Sequence, residues 1–163
     1  MKIEEQIGVE LRSRHLMMGT AESCTGGYIA HLITRIAGSS DYFSGGIISY
    51  SNEVKQHVLG VSATSLSEYG AVSCSVVEQM ALGAIHVLGC DCAVATSGIA
   101  GPGGGTPDKP VGTVWIAAAF KDKVLSKCFH FGTERIENIQ LAANTALEML
   151  MDLLNNRNIE EQK

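Results

Sequence analysis

Charge is scarce in this chain. Of its 163 residues only 18% are Asp, Glu, Lys or Arg, the formal net charge is −5, and no local run of Lys and Arg interrupts that balance. Such a surface lacks the basic patch that nucleic acid or an anionic membrane requires, so neither is expected as a partner. Proline is rare as well, three residues against eighteen glycines, while 45% of the chain is hydrophobic. That combination excludes a disordered, low-hydrophobicity chain and leaves a globular, glycine-heavy one. The opening MKIEEQIGVELRSRH is polar and acidic, with no apolar run for a signal peptide or membrane anchor. Cysteines at 24, 74, 90, 92 and 128 are odd in number and lack the spacing of a disulfide framework. Free thiols in a reducing cytoplasm are therefore expected. Cys90-Asp91-Cys92, a lone pair at a helix-to-strand junction, reads as buried thiols rather than as a metal site. A small anionic ligand is still allowed, because backbone N–H groups in a loop bind phosphate without net positive charge.

What is present is one domain's length of chain, with no internal repeat and no linker, so residues 1–163 are read as one domain. Ile3, Ile7 and Leu11 recur every fourth residue, as in a short amphipathic helix. Residues 16–22 form an apolar run ending in a polar turn, a buried strand. Tyr28, Ile29, Leu32, Ile33 and Ile36 make a helical stripe that stops at Gly38. Residues 45–50 read as a second strand, after which Asn52 is expected to cap a short helix to Leu59. Ser75 with Glu78 has the spacing of a capping box, opening a helix with Val76, Val77, Met80, Ala84, Val87 and Leu88 inward, to Gly89. Residues 92–97 are a third strand. Residues 111–120 and 124–131, split by Lys121-Asp122-Lys123, form an antiparallel hairpin. Ile136, Ile139, Ala143, Leu147, Leu150 and Leu154 line one face of a long final helix. Helices alternating with strands, then a hairpin, predict a mixed sheet with helices on both faces.

Three segments carry residues suited to chemistry. Ser23 lies in Ala21-Glu22-Ser23-Cys24-Thr25-Gly26-Gly27, between a buried strand and a helix, where α/β proteins bind ligands. Helix-start N–H groups there can stabilise a developing oxyanion, and Gly26 and Gly27 let the backbone approach closely. Taken alone, the stretch fits a plain helix cap by Ser23 or Thr25 more readily. Cys24 is adjacent, and thiolates are activated at helix starts; consecutive side chains cannot both face one ligand, and the stretch does not say which is packed away. A serine nucleophile needs a base. None of the five histidines falls in a glycine-rich loop, whereas Tyr50 and Lys55, in Tyr50-Ser51-Asn52-Glu53-Val54-Lys55, follow the second strand and can reach the same sheet edge. Lysine becomes a base once burial lowers its pKa, although most single lysines are merely solvated. The third segment runs from Ser97 to Thr113 and has five glycines between Gly98 and Gly105. So many glycines cost too much chain entropy for a simple connector and suit a backbone that wraps a phosphate. It lacks the Gly-Lys-Ser/Thr and following helix of a P-loop, so nucleoside triphosphate hydrolysis is not indicated.

AESCTGG, GGIISYSNEVK, GAVS at 70–73 and SGIAGPGGGTPDKPVGTV together resemble the CinA C-terminal domain family, over roughly residues 5–152. That family includes stand-alone nicotinamide-nucleotide amidases, which convert nicotinamide mononucleotide to nicotinate mononucleotide and ammonia. The resemblance implies a three-layer α/β/α sandwich on a mixed, mostly parallel five-stranded sheet. It implies Ser23 as nucleophile, with Tyr50 and Lys55 activating it. Substrate contacts are carried onto Thr25, Gly26, Gly27, Ser40 (the family's G-S-S element), Gly46, Ser97, Gly98, Gly103, Gly104 and Arg135. Ser97 stands where the family usually has threonine, keeping a hydroxyl. Before the last helix the chain keeps Arg135 and lacks a second arginine. The extra N-terminal domain of the larger CinA proteins, which resembles molybdopterin-binding proteins, is not expected here. The reading is thus an amidase of a small pyridine nucleotide that needs no metal or organic cofactor, cytoplasmic and a homo-oligomer. The rival from another class is a non-catalytic nucleotide-binding or regulatory module.

Overall fold

Strand β1 (Met18–Glu22) is buried along its whole length because it has a neighbour on each side and helices on both faces. Strand β2 (Phe43–Ile48) pairs with it in parallel on one side and β3 (Cys92–Gly98) in parallel on the other. The hairpin β4 (Thr113–Phe120) and β5 (Lys123–His130) then adds two antiparallel ladders, giving the order β2-β1-β3-β4-β5. The five-stranded mixed sheet is as expected. Two of its pairings are parallel and two antiparallel, the hairpin extending one edge, and four of the five strands run the same way. The structure, a computed structural model, describes residues 1–156.

Two apolar layers sandwich the sheet. Helices α1 (Ile3–Ser13), α2 (Tyr28–Thr34) and α6 (Arg135–Leu154) bury Ile7, Leu11, Ile29, Ile33, Leu147 and Leu150 against one face. Helix α5 (Cys74–Leu88) buries Val76, Val77, Met80, Ala81 and Ala84 against the other, next to Leu59 and Val61. Between β2 and α5 lie the short helices α3 (Asn52–His57) and α4 (Ala63–Tyr69). The serine-rich α4 has no apolar stripe and was not anticipated.

Local chemistry differs from expectation at several helix ends. Ser51, not Asn52, caps α3, its hydroxyl accepting the Val54 N–H. Ser73, not Ser75, caps α5; Ser75 instead bonds to Ser65 and Gln79, and Glu78 accepts from Ser126. The predicted register was two residues late because Cys74 and Ser75 already continue the helix. Val87 and Ile136 face solvent, since the stripes of α5 and α6 drift off the sheet at those ends.

The carboxyl ends of β2, β1 and β3 share one edge of the sheet; the chain moves from β1 outward to β2 and then crosses back past β1 to β3, so the sense of the connection reverses beside β1. In open α/β sheets such a switch point opens a crevice. The three chemistry-bearing segments of the sequence all leave the sheet there.

Candidate active site

A cavity of about 300 Å³ lies at that edge, walled by Ser23 and Cys24, Tyr50 and Lys55, Ala71 and Val72, the turn from Ser97 to Gly104, and Arg135. A larger depression of about 620 Å³, between α1, α2 and α6, has no nucleophile beside a base, so size does not select it.

Lys55 is the unusual residue of the smaller cavity. It occupies the inward position of α3 one turn before Leu59 and is 1% exposed. Among the described residues no carboxylate pairs with it. Its Nζ lies 2.9 Å from Ser23 Oγ, 2.7 Å from the Ser49 carbonyl and 3.4 Å from the Tyr50 carbonyl. Burial lowers its pKa from the ordinary lysine value, against a smaller opposing influence of Cys24. A neutral amine has two N–H donors and one lone pair. As the ammonium, Nζ donates to Ser23 Oγ and to both carbonyls; once the proton is lost, the carbonyls can keep the two donors and the lone pair can face the Ser23 hydroxyl. Such a pair can pass a proton from serine to lysine.

Ser23 is 9% exposed and follows β1, its N–H bonded to Thr96 O as though the ladder continued. It does not cap α2. That task falls to Glu22, whose buried carboxylate accepts the N–H groups of Ile29 and Ala30 and the Thr25 hydroxyl. An acidic side chain beside a helix start answers the positive end of the helix dipole. This was the available signal, and the sequence reading missed it. Cys24 is the side chain packed away: it is buried with Ile29 and Leu32, and burial pushes its thiol up to about 11. A thiol at that value is protonated at neutral pH, which disfavours it as a nucleophile. Cys90 and Cys92 are also buried, with thiols raised by burial.

The chain matches the CinA C-terminal domain over residues 1–154. It belongs to the CinA C-terminal domain family. Nicotinamide-nucleotide amidohydrolase PncC of Enterobacter agglomerans is 50% identical over 143 residues, 87% of each chain. PncC of Escherichia coli K12 is 52% identical over 119 residues, 73% of this chain and 72% of that protein. A CinA-like protein of Chloroherpeton thalassium is 46% identical over 95% of this chain, which spans only 38% of that longer relative. Among solved structures, the competence/damage inducible protein CihA of Agrobacterium tumefaciens superposes with a TM-score of 0.91 at 42% identity, covering 94% of this chain and 93% of that one. A CinA superfamily protein of Klebsiella pneumoniae gives the same TM-score at 32% identity, covering 94% of this chain and 96% of that one.

Not every residue carried over from the family pattern reaches the cavity of this CinA domain. Ser23, Tyr50, Lys55, Ser97, Gly98, Gly103, Gly104 and Arg135 line it. Thr25, Gly26 and Gly27 instead border a separate depression beside Tyr28 and Ile139, and the Thr25 hydroxyl is committed to Glu22 and Thr96. Gly26 and Gly27 have φ of 57° and 100°, conformations that glycine adopts without strain. Ser40 sits in a single 3-10 turn, Ser39–Asp41, and faces solvent away from the cavity. Gly46 lies within β2, where a side chain would strike the Thr20 hydroxyl. As placed, these five do not line the cavity.

Tyr50 also differs from expectation. Its side chain is 62% exposed and its hydroxyl accepts from Arg135 Nη2 at 3.2 Å; only its carbonyl meets Lys55. Arg135 Nη1 donates to Gly101 O at 2.7 Å, so the guanidinium bridges the tyrosine and the glycine-rich turn. Gly98 is required by close packing, since a Cβ there would lie 2.7 Å from Thr113 O. The helix-start N–H groups of Gly26, Tyr28, Ile29 and Ala30 already have acceptors, which leaves those of Cys24, Thr25 and Gly27, with Cys24 adjacent to Ser23 in the chain. A buried residue the sequence reading passed over, Asn138, ties α6 to the same turn. Among the described residues no group of three or more His, Cys, Asp or Glu is arranged to hold a metal, and no helix is long and apolar enough to cross a membrane.

Proposed function

We propose that this chain hydrolyses the carboxamide of nicotinamide mononucleotide through an acyl-enzyme on Ser23. The observation that carries this reading is the buried Lys55 amine, unpaired with any carboxylate, 2.9 Å from Ser23 Oγ. The PncC relatives, named as nicotinamide-nucleotide amidohydrolases and about as long as this chain, support the substrate.

Neutral Lys55 takes the Ser23 proton as Oγ attacks the amide carbon, and the carbonyl electron pair moves onto oxygen. The N–H of Cys24, adjacent to the nucleophile in the chain, is the donor for that oxyanion. When the pair returns, the C–N bond breaks, Lys55 gives its proton to the leaving nitrogen, and ammonia departs. Water then adds to the ester, its proton passes to Lys55 and on to Ser23 as the C–O bond breaks, and nicotinate mononucleotide leaves. Tyr50 contributes through its carbonyl, which holds Lys55, and through the hydroxyl that steadies Arg135. Arg135 and the turn from Ala100 to Gly105 offer cationic and N–H donors to the phosphate, remote from the reacting carbon.

The same reading takes residues 1–163 as a single amidase domain, cytoplasmic and homo-oligomeric. Its partner is a free pyridine nucleotide rather than nucleic acid, for which a chain of net charge −5 has no basic run. Purified protein is expected to release ammonia from nicotinamide mononucleotide, and Ser23→Ala is expected to abolish it. Tight nucleotide binding without any ammonia release would favour the non-catalytic rival.

A further inference from the structure

Asn138 is 1% exposed and stands on the buried stripe of α6, one turn before Ala142 and two before Ala146. A polar side chain in that stripe needs partners to offset its burial. Asn138 has three. Its Oδ1 accepts the Gly132 N–H at 2.8 Å, and its Nδ2 donates to Gly132 O and to Ala100 O, each at 3.0 Å. One amide thus clamps the start of α6, the β5–α6 turn at Gly132 and the glycine-rich turn that walls the cavity.

The clamp has a directional consequence. In a trans peptide the C=O and the following N–H point opposite ways. Ala100 O is held by Asn138, so the Gly101 N–H points away from α6. Ile99 O is held by the Gly112 N–H, so the Ala100 N–H points away from β4. Among the described residues no acceptor takes the N–H of Ala100, Gly101, Gly103, Gly104 or Gly105. A run of unpaired N–H groups in a turn with φ near 90° at Gly101 and Gly104 is a concavity suited to an anion.

We propose that Asn138 is a positioning residue: by fixing the Ala100 carbonyl it aims this run of N–H groups at the phosphate monoester of the substrate. The proposal rests on the mononucleotide reading above for the identity of the substrate, and on the hydrogen bonds alone for the anion site. Asn138 touches no reacting atom; its effect passes entirely through the turn.

The test uses Asn138→Asp and Asn138→Ala in the full chain. Aspartate keeps the shape and the Gly132 N–H acceptor but loses both donors and sets a carboxylate oxygen against Ala100 O, so it remains informative if the alanine variant does not fold. Two readouts are taken: kcat and KM on nicotinamide mononucleotide and on nicotinamide riboside, and backbone amide NMR during titration with inorganic phosphate. For folded variants we expect KM for the mononucleotide to rise by at least about tenfold, with kcat changing far less and the riboside affected far less. In the wild type phosphate should shift the amides of Gly101 and Gly103–Gly105, and the variants should need at least about tenfold more phosphate for the same shift. An equal loss of kcat/KM on both substrates, or an unchanged phosphate titration, overturns the proposal and makes Asn138 a purely structural residue. Absence of ammonia release by the wild type defeats the amidase reading instead, and the phosphate titration then decides the role of Asn138 by itself.

Discussion

Replacing Lys55 with methionine removes the amine and nearly preserves the volume, so chemistry and packing separate. A general base contributes about 10²- to 10⁴-fold to a rate, and each tenfold is about 1.4 kcal/mol of barrier. Lys55→Met should therefore lose about 3 to 5 kcal/mol of transition-state stabilisation, read as kcat/KM in an ammonia-release assay. Lys55→Arg should not recover it, because a guanidinium stays protonated and cannot accept the Ser23 proton. Stability changes with a sign that the burial dictates. The folded Lys55 pKa is lowered by burial, so the unfolded chain holds that proton more tightly than the folded one. Wild-type stability must then rise with pH between the depressed folded value and the ordinary value of 10.5, by up to about 1.4 kcal/mol per pH unit. Below that window both states are protonated and the contribution is level. Methionine has no proton to bind, so the wild type should gain on the variant as pH rises through the window, in denaturant titrations run at several pH values. Methionine also leaves the Ser49 carbonyl unpaired, at a cost of about 1–3 kcal/mol, which partly cancels the relief of removing a buried amine. The wild-type rate should climb as pH rises through the depressed folded value, where Lys55 of the folded enzyme deprotonates, and level off above it. A rate profile level from mildly acidic to alkaline pH, or a methionine variant keeping half its turnover, refutes lysine as the base.

Ser23→Ala should lack ammonia release while changing stability by no more than about 1–2 kcal/mol, the scale of one hydrogen bond. Cys24→Ala should keep most turnover, since its thiol is buried and raised to about 11; the opposite outcome in the two variants would reverse the assignment. Glu22→Gln places an amide N–H₂ against one of the donors now accepted at the start of α2, and should lower stability by about 1–3 kcal/mol in a denaturant titration. An unchanged midpoint would show that α2 is capped some other way. Gly103→Val, where a side chain meets open space rather than protein, should leave the melting temperature nearly unchanged. It should raise KM for the mononucleotide more than for the riboside, and equal changes on the two would remove the phosphate assignment.

Periodicity and punctuation in the sequence were enough for most of the architecture. A four-residue apolar repeat gave α1, the long stripe gave α6, and Lys121-Asp122-Lys123 marked the hairpin, because each signal is local and amphipathic. Serine caps were misplaced by one or two residues, because several hydroxyls near a helix start compete for the same role and only geometry chooses among them. The serine-rich α4 carried no stripe to read. The three segments that meet in the cavity were recognisable as motifs, yet membership in a motif does not say which way a side chain faces. Thr25 turned out to serve Glu22, Ser40 faced solvent, and Gly46 accommodated Thr20.

By itself, then, the sequence determined the order of the strands and of the helices other than α4, the family, and the loops in which chemistry could occur, since these depend on residues close together along the chain. The tertiary structure alone decided that Lys55 is buried without a carboxylate and lies against Ser23, 32 positions away. It also decided that Cys24 rather than Ser23 is packed into the core, and that Asn138 holds a turn 38 residues earlier in the chain. Burial, dielectric environment and the direction of a carbonyl are set by what the fold brings together from distant segments, and no local pattern encodes them.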